Sequence, residues 1–151
     1  LCPSRCTEDL KEHYVITFLG KGWDTHVRHL EEAGYEVHHI RFAPNYIEEI
    51  IKHDIQITPI SIGTGTKGKV LDAIANGLLV IGSWYALENI AVEHGVSCLQ
   101  YRTVDEVISM LRKIYLCPSH YEEIAQSGRK SVLRFHDGEL TAQQMFSLLQ
   151  A

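Results

Sequence analysis

The sequence contains few cysteines, little excess positive charge and no long apolar run. Its four cysteines form no Cys-x-x-Cys pair, so neither a zinc ribbon nor a regular disulfide framework is predicted, and free thiols in a reducing compartment are expected. The formal net charge of −5 argues against general nucleic-acid binding, which requires clustered lysine and arginine. No apolar run approaches the length needed to cross a bilayer.

Two common kinds of catalytic centre are also not predicted. His26 and His29 lie on one face of a predicted helix, but the neighbouring strand residues His38 and His39 point to opposite sides of their sheet. No aspartate or glutamate completes a tight ligand set, so no metal site is expected. Cys98 falls inside a predicted strand, where burial makes a thiol inert more often than reactive.

The 151 residues, 45% of them hydrophobic, are enough for one domain with a proper core. Apolar, β-branched runs predict strands at residues 14–19, 35–42, 55–60, 78–81 and 97–101. Helical spacing predicts helices at residues 7–13, 24–33, 46–53, 70–76, 103–115, 119–133 and 138–150. Strands that alternate with helices indicate an α/β domain with a mostly parallel sheet.

Several residues predict where individual helices begin or end. Gly34 and Gly77 are suited to the left-handed conformation that ends a helix. The segments 103–106 and 119–122 each have the pattern of a capping box, which opens a helix. The basic cluster of Arg129, Lys130 and Arg134 is expected to complement the C-terminal end of the helix that carries it.

The most informative stretch is residues 63–80, GTGTKGKVLDAIANGLLV. A β-branched run precedes it, helical spacing follows the glycines, and a second apolar run ends it. The stretch therefore reads as a strand, a glycine-rich loop, a helix and a second strand. The N-terminus of that helix would present free backbone N–H groups and the positive end of its dipole to the loop. With Lys67 and Lys69 adding charge, the stretch predicts an anion site, and phosphate is the expected anion.

Two phosphate-binding motifs match this stretch only in part. The P-loop pattern G-x-x-x-x-G-K fits from Gly63, but Val70 stands where a P-loop needs the serine or threonine that holds Mg²⁺. The dinucleotide pattern G-x-G-x-x-G also fits, but no acidic residue closes the next strand to bind the ribose. Neither motif explains the whole stretch.

The whole of residues 59–82 closely resembles the donor-site segment of GT-B glycosyltransferases of the family 4 type. Asp72 stands where that family has a helix glutamate, and Leu79 replaces its usual proline. The upstream acidic residue of the family's pair falls on Thr64. The resemblance extends over most of the chain from Tyr14 onward, although its specific residues lie within 59–90.

The resemblance implies transfer of a glycosyl group, of the hexosyl type, from a nucleoside-diphosphate sugar such as a UDP-sugar, with retention at the anomeric carbon. It implies no cofactor and no obligatory metal, because helix N–H groups and a lysine can stabilise the leaving diphosphate. Asp72 would accept hydrogen bonds from ribose hydroxyls, or would only complement the helix dipole. Which of Lys67 and Lys69 contacts phosphate stays open.

Further residues follow from the same resemblance. A strand that ends in Gly-x-Gly approaches the nucleotide in the family, which makes Lys21 a phosphate contact or a solvated turn residue. Glu88 is either the counterpart of an acidic residue at the sugar end of the donor or an ordinary surface residue. The predicted substrate-binding residues are Gly20, Lys21, Gly63, Thr64, Gly65, Thr66, Lys67, Gly68, Lys69 and Asp72, with Glu88 as the candidate catalytic residue.

The family has two Rossmann-like domains with the active site between them, whereas residues 1–151 predict one three-layer donor domain truncated at its N-terminus. An N-terminal acceptor domain of the same protein would then be missing, and the chain alone is expected to transfer nothing. The full-length enzyme would be cytoplasmic, or would lie at the inner face of a membrane. A nucleotide-sugar 2-epimerase, or a non-catalytic module whose glycines serve only packing, remains an alternative.

Overall fold

The computed structural model describes residues 10–59 and 67–136, and for residue 67 only the backbone. Residues 10–13 are helical. The strands that follow are β1 (Ile16–Leu19), β2 (Val37–Ile40), β3 (Ile55–Thr58), β4 (Leu79–Ser83) and β5 (Leu99–Tyr101). The helices are α1 (Asp24–Glu32), α2 (Tyr46–Ile50), α3 (Lys67–Ala75), α4 (Trp84–Leu87), α5 (Val104–Leu116) and α6 (Pro118–Phe135).

All strand pairs are parallel, which confirms the predicted pairing, but the described strands are divided between two sheets. β1 pairs with β2, and β4 lies between β3 and β5. Leu19, at the end of β1, packs against the core beside the larger sheet. Side-chain contact therefore joins the two-stranded sheet to the three-stranded sheet.

The three-stranded sheet has helices on both faces. Successive side chains of its central strand, β4, belong to two different clusters of buried residues. Val80 belongs to the cluster built around α3, whereas Leu79 and Ile81 belong to the cluster built around α5. Near-continuous apolar sequence is typical of a parallel strand that is buried on both faces. The predicted three-layer, Rossmann-like α/β architecture is confirmed.

Helix α6 contributes to both clusters and approaches the sheet closely at Gly128. Ile124 belongs to one cluster and Val132 to the other. A Cβ atom on Gly128 would lie 2.3 Å from the backbone oxygen of Ser97 and 3.2 Å from a methyl group of Ile74. Only glycine allows α6 to sit this close.

Most helix ends agree with the prediction. Gly34 and Gly77 adopt φ values of +94° and +87° directly after helices, and the hydroxyl of Thr103 accepts a hydrogen bond from the backbone N–H of Glu106 at 3.3 Å. The capping box predicted at residues 119–122 is wrong, because α6 begins one residue earlier at Pro118 without a side-chain cap. Proline suits the first helical position, since its fixed φ is helical and it has no N–H to leave unpaired.

The predicted role of Arg129 is also wrong. Its Nε donates a hydrogen bond to the backbone oxygen of Ala75, at 3.1 Å. Ala75 is the last residue of α3, so the cation complements the C-terminal end of the neighbouring helix instead of its own. Arg129 thereby ties α6 to α3.

Strands β1, β2, β3 and β5 and helices α1 and α2 are shorter than predicted by one to three residues at an end. Helix α3 begins three residues earlier than predicted, and α6 extends two residues further. The helix predicted at residues 138–150 lies outside the described ranges, as does the start of the one predicted at 7–13. Over the described residues, no helix is both long and apolar enough to span a membrane.

Candidate functional site

The predicted anion site lies at the carboxyl end of β3, where the first turn of α3 begins at Lys67. Ligands of open parallel sheets bind outside the carboxyl ends of the strands, so this is the expected position for a site. The loop residues Gly63, Thr64, Gly65 and Thr66 lie outside the described ranges, and their assignment stays a prediction. Gly68 lies within the first turn of α3, whereas the sequence analysis predicts the helix only from residue 70.

Asp72 lies on α3 and is half-buried. Loss of solvent contact raises the pKa of its carboxyl group to about 6, from an ordinary value of 3.8. Within residues 10–59 and 67–136, the structure gives this carboxylate no ion pair and no side-chain hydrogen bond. A partly desolvated charge costs stability unless it is paired, and a carboxyl group with such a raised pKa is a candidate for a functional site.

Lys69 is exposed, and its ammonium lies over the ring of Tyr46 with Nζ 5.5 Å from the ring centroid. The hydroxyl of Tyr46 donates to Oε1 of Gln56 at 3.0 Å and lies 3.4 Å from the backbone oxygen of Lys69. Burial, and after it the nearby Asp72 carboxylate, raises the pKa of Tyr46 to about 12. The structure therefore brings Lys69 and Asp72 together around Tyr46.

Tyr46 and Gln56 are members of this group to which the sequence analysis assigns no role. Tyr46 opens a five-residue helix, and Gln56 lies between two isoleucines in strand β3. A polar side chain between the isoleucines of a predicted strand is the one signal that the sequence offered. No sequence pattern connects it to a tyrosine in the preceding helix.

The loop that contains Gly20 and Lys21 lies at the carboxyl end of β1. Gly20 has φ +116°, its N–H donates to the backbone oxygen of Ile40 at 2.8 Å, and its own oxygen lies 2.8 Å from Nε2 of His39. The loop is thus fixed to the end of β2, while the side chain of Lys21 is exposed to solvent.

The positive end of α1, next to Lys21, already holds a carboxylate. Asp24 lies in the first turn of α1, and its Oδ1 is 2.6 Å from the Arg41 guanidinium and 3.9 Å from Nδ1 of His39. This carboxylate opposes binding of a second anion at the same helix end. The N-terminus of α3 has no acidic residue in its first turn, and is the more favourable of the two for phosphate.

The turn after β4 exposes two aromatic side chains and buries two smaller residues. Ala86 and Leu87 are buried, whereas Trp84 is 61% exposed and Tyr85 is 37% exposed. A Cβ atom at Gly82 would lie 2.9 Å from Cγ of Leu87, so glycine permits this packing.

Glu88 follows this turn as the C-terminal cap of α4 and is partly exposed. It therefore belongs to the end of β4, one strand away from the group around Tyr46. In residues 41–45, where the family resemblance would place contacts to the nucleotide base, Phe42 is 77% exposed, and Oδ1 of Asn45 accepts a hydrogen bond from the backbone N–H of Glu48 at 3.2 Å.

Other possible centres are less suited to chemistry. Cys98 is 2% exposed, and burial, followed by the nearby Glu93 carboxylate, raises the pKa of its thiol to about 12. The predicted inertness of this thiol agrees with that environment. His38 and His39 differ as predicted for neighbouring strand residues, with side chains 58% and 12% exposed.

A shallow cleft of about 400 Å³ lies along β5 and α5, away from the end of β3. It is lined by His94, Gln100, Arg102, Glu106, Ser109, Met110 and Lys113. None of these belongs to the predicted site. Of the predicted donor residues that the structure describes, Lys69 and Asp72 lie instead on α3, which follows β3 along the chain.

Comparison with solved structures shows the fold. The chain is similar to a crystal structure of Anabaena Alr3699/HepE in complex with UDP, with a TM-score of 0.69, 16% identity, and coverage of 97% of this chain and 43% of that chain. For the same protein in complex with UDP-glucose, the TM-score is 0.65 and the identity 17%, with coverage of 99% and 46%. The chain therefore spans less than half the length of these structural relatives.

Sequence comparison gives the family. Among curated proteins, no significant match is found. A family model described as "glycosyl transferase-like" matches residues 4–147, which is nearly the whole chain. The chain belongs to this glycosyl transferase-like family.

Proposed function

We propose that the chain is the donor-binding domain of a retaining hexosyltransferase that uses a nucleoside-diphosphate sugar, with UDP-glucose as the leading candidate. The observation that carries the proposal is the Asp72 carboxylate, half-buried in the second turn of the helix that follows the glycine-rich loop and without an ion pair or side-chain hydrogen bond among the described residues. Ribose hydroxyls would donate hydrogen bonds to this carboxylate. The solved structures that share the fold contain UDP and UDP-glucose, which supports a uridine nucleotide.

The diphosphate would bind at the N-terminus of α3. Free N–H groups of a first helical turn and a lysine ammonium stabilise the charge that develops on the leaving diphosphate, without an obligatory metal. Because Lys69 lies over the Tyr46 ring, its ammonium is held on the side of α3 that faces α2. Lys67 would then make the more direct contact with phosphate.

The catalytic and acceptor groups would come from a second domain. A bound donor at the carboxyl edge of one domain leaves its sugar open to solvent until another domain covers it, and transfer requires exclusion of water. The chain alone should therefore bind a donor nucleotide weakly and transfer no sugar. Turnover by the chain alone at enzyme-like rates, with any donor and acceptor, would contradict this part of the proposal.

The test measures binding of UDP, GDP and ADP to the chain by ligand-observed NMR, for the wild type and for Asp72→Ala. We expect UDP to bind and the Asp72→Ala substitution to weaken it about tenfold, the effect of losing charge-assisted hydrogen bonds. Asp105→Ala is the matched control, since Asp105 lies in the first turn of α5. Undiminished UDP binding by Asp72→Ala, or no binding of any nucleotide by the wild type, would contradict the proposed site.

A further inference from the structure

Tyr46 contacts both ends of the glycine-rich loop. Its hydroxyl donates to Oε1 of Gln56, in β3 before the loop, at 3.0 Å. The same hydroxyl lies 3.4 Å from the backbone oxygen of Lys69, in the first turn of α3 after the loop. One side chain of the preceding helix therefore links the strand that enters the loop to the helix that leaves it.

The link extends to the last residue of the strand. Nε2 of Gln56 donates to Oγ1 of Thr58 at 3.3 Å, and Thr58 is buried with 7% of its surface exposed. Gln56 thus bridges two hydroxyl groups, each of which can donate or accept a hydrogen bond. A chain of hydrogen bonds thus runs from α2 to the carboxyl end of β3.

The ring of Tyr46 makes contacts that do not depend on its hydroxyl. It packs against the core cluster that contains Ile50 and Val70, and the Lys69 ammonium lies over it at 5.5 Å, within the range of a cation–π interaction. A phenylalanine would fill the same space against the core and would still hold the ammonium. The hydroxyl adds only the connection between the two ends of the loop.

We propose that Tyr46 is a positioning residue for the diphosphate of the donor: through its hydroxyl it fixes the first turn of α3 relative to the end of β3. This inference rests on the proposed function, in which backbone N–H groups of that turn bind phosphate. Such groups stabilise developing charge only when they are held in place before the ligand arrives. Movement of the turn would weaken diphosphate binding without changing contacts to the nucleoside.

The first experiment compares UDP with uridine in Tyr46→Phe. Loss of one net hydrogen bond predicts about 3- to 10-fold weaker binding of UDP, while uridine affinity changes less than about twofold. Tyr35→Phe is the matched control, since Lys11 lies over the Tyr35 ring at 5.7 Å in the smaller sheet region. Equal loss for UDP and uridine, or no loss for UDP, would overturn the proposal, because a merely structural role does not separate the two ligands.

The second experiment needs no nucleotide. In an α-helix the carbonyl of Lys69 also accepts from the N–H of Ala73, so amide exchange at Ala73 reports on the turn that Tyr46 holds. We expect about threefold or faster exchange at Ala73 in ligand-free Tyr46→Phe, with amides of α6 unchanged. Unchanged exchange at Ala73 would refute the link whatever UDP does. Faster exchange in a protein whose wild type binds no UDP would instead overturn the proposed function, and the placement of a diphosphate with it.

Discussion

The two sheets are built from similar apolar strands but differ in burial. Four of the five residues of β4 are buried, whereas no residue of β1 or β2 is. Helices α3 and α5 cover opposite faces of the larger sheet, while α1, which packs on the smaller sheet, has no buried residue either. Burial of a strand therefore depends on what covers both of its faces and not only on its own composition.

The larger sheet should be the more stable part of the domain, because the core clusters and the close approach of α6 belong to it. Local unfolding should therefore begin in β1, β2 and α1. The group around Tyr46 lies against the stable region, because its ring packs on the core beside α3. The comparison can be tested at matched positions in the two regions.

The largest effect is expected for Gly128→Ala. The added methyl group would lie 2.3 Å from a backbone oxygen, which cannot move as a flexible side chain can, so we expect a loss of more than about 3 kcal/mol in the free energy of unfolding. Gly22→Ala is the counterpart in the smaller sheet region, with open space but φ +88°, and should cost about 1 kcal/mol. Urea unfolding measures both; equal losses would remove the distinction between the regions.

The next effect compares isoleucine truncations. Ile81 has no exposed surface, so Ile81→Ala should lower the free energy of unfolding by about 3 kcal/mol. Ile16, in β1, is only partly buried, and Ile16→Ala should cost about 1 kcal/mol. Amide exchange of the wild type should show the same order, with slower exchange in β4 than in β1. Faster exchange in β4 would contradict the comparison.

The smallest effect concerns Asp72. Its raised pKa means that the folded state holds its proton more tightly than the unfolded state, so the contribution of this group to stability is fully present below pH 3.8 and is lost as pH rises through about 6. The shift corresponds to at most about 3 kcal/mol, which solvent contact reduces to about 1 kcal/mol for a half-buried group.

Asp72→Asn removes this titration. Relative to the wild type, Asp72→Asn should therefore become more stable by about 1 kcal/mol in the free energy of unfolding as the pH rises from 4 to 7. Urea unfolding at four pH values measures it, and the comparison cancels the titration of other carboxylates. A difference that does not change with pH would show that the carboxylate is compensated.

Features that depend on one residue and its neighbours in sequence could be predicted. Gly77 ends α3 because glycine adopts φ +87° without strain, and Thr103 caps α5 because its hydroxyl reaches an N–H three residues later. Pro118 shows where two local signals compete, since a proline at the first helical position prevailed over the serine that followed it.

Features that depend on distant partners could not be predicted. The sequence identified Lys69 and Asp72 as site residues, but Tyr46 joins them across the gap between two helices. Arg129 was predicted to interact with the C-terminal end of its own helix, whereas its hydrogen-bond partner lies in α3, 54 residues away along the chain. Both interactions depend on how helices pack, which local sequence spacing does not record.

The outer edge of β5 is closed by the chain itself. The N–H of Gln100 donates to Nδ1 of His94 at 2.8 Å, and the N–H of Arg102 donates to the carboxylate of Glu106 at 2.7 Å. An unpaired strand edge is a template for another strand, and side chains that occupy its donors prevent such pairing. Among the described residues, these two side chains thus protect this edge of the larger sheet from edge-to-edge aggregation.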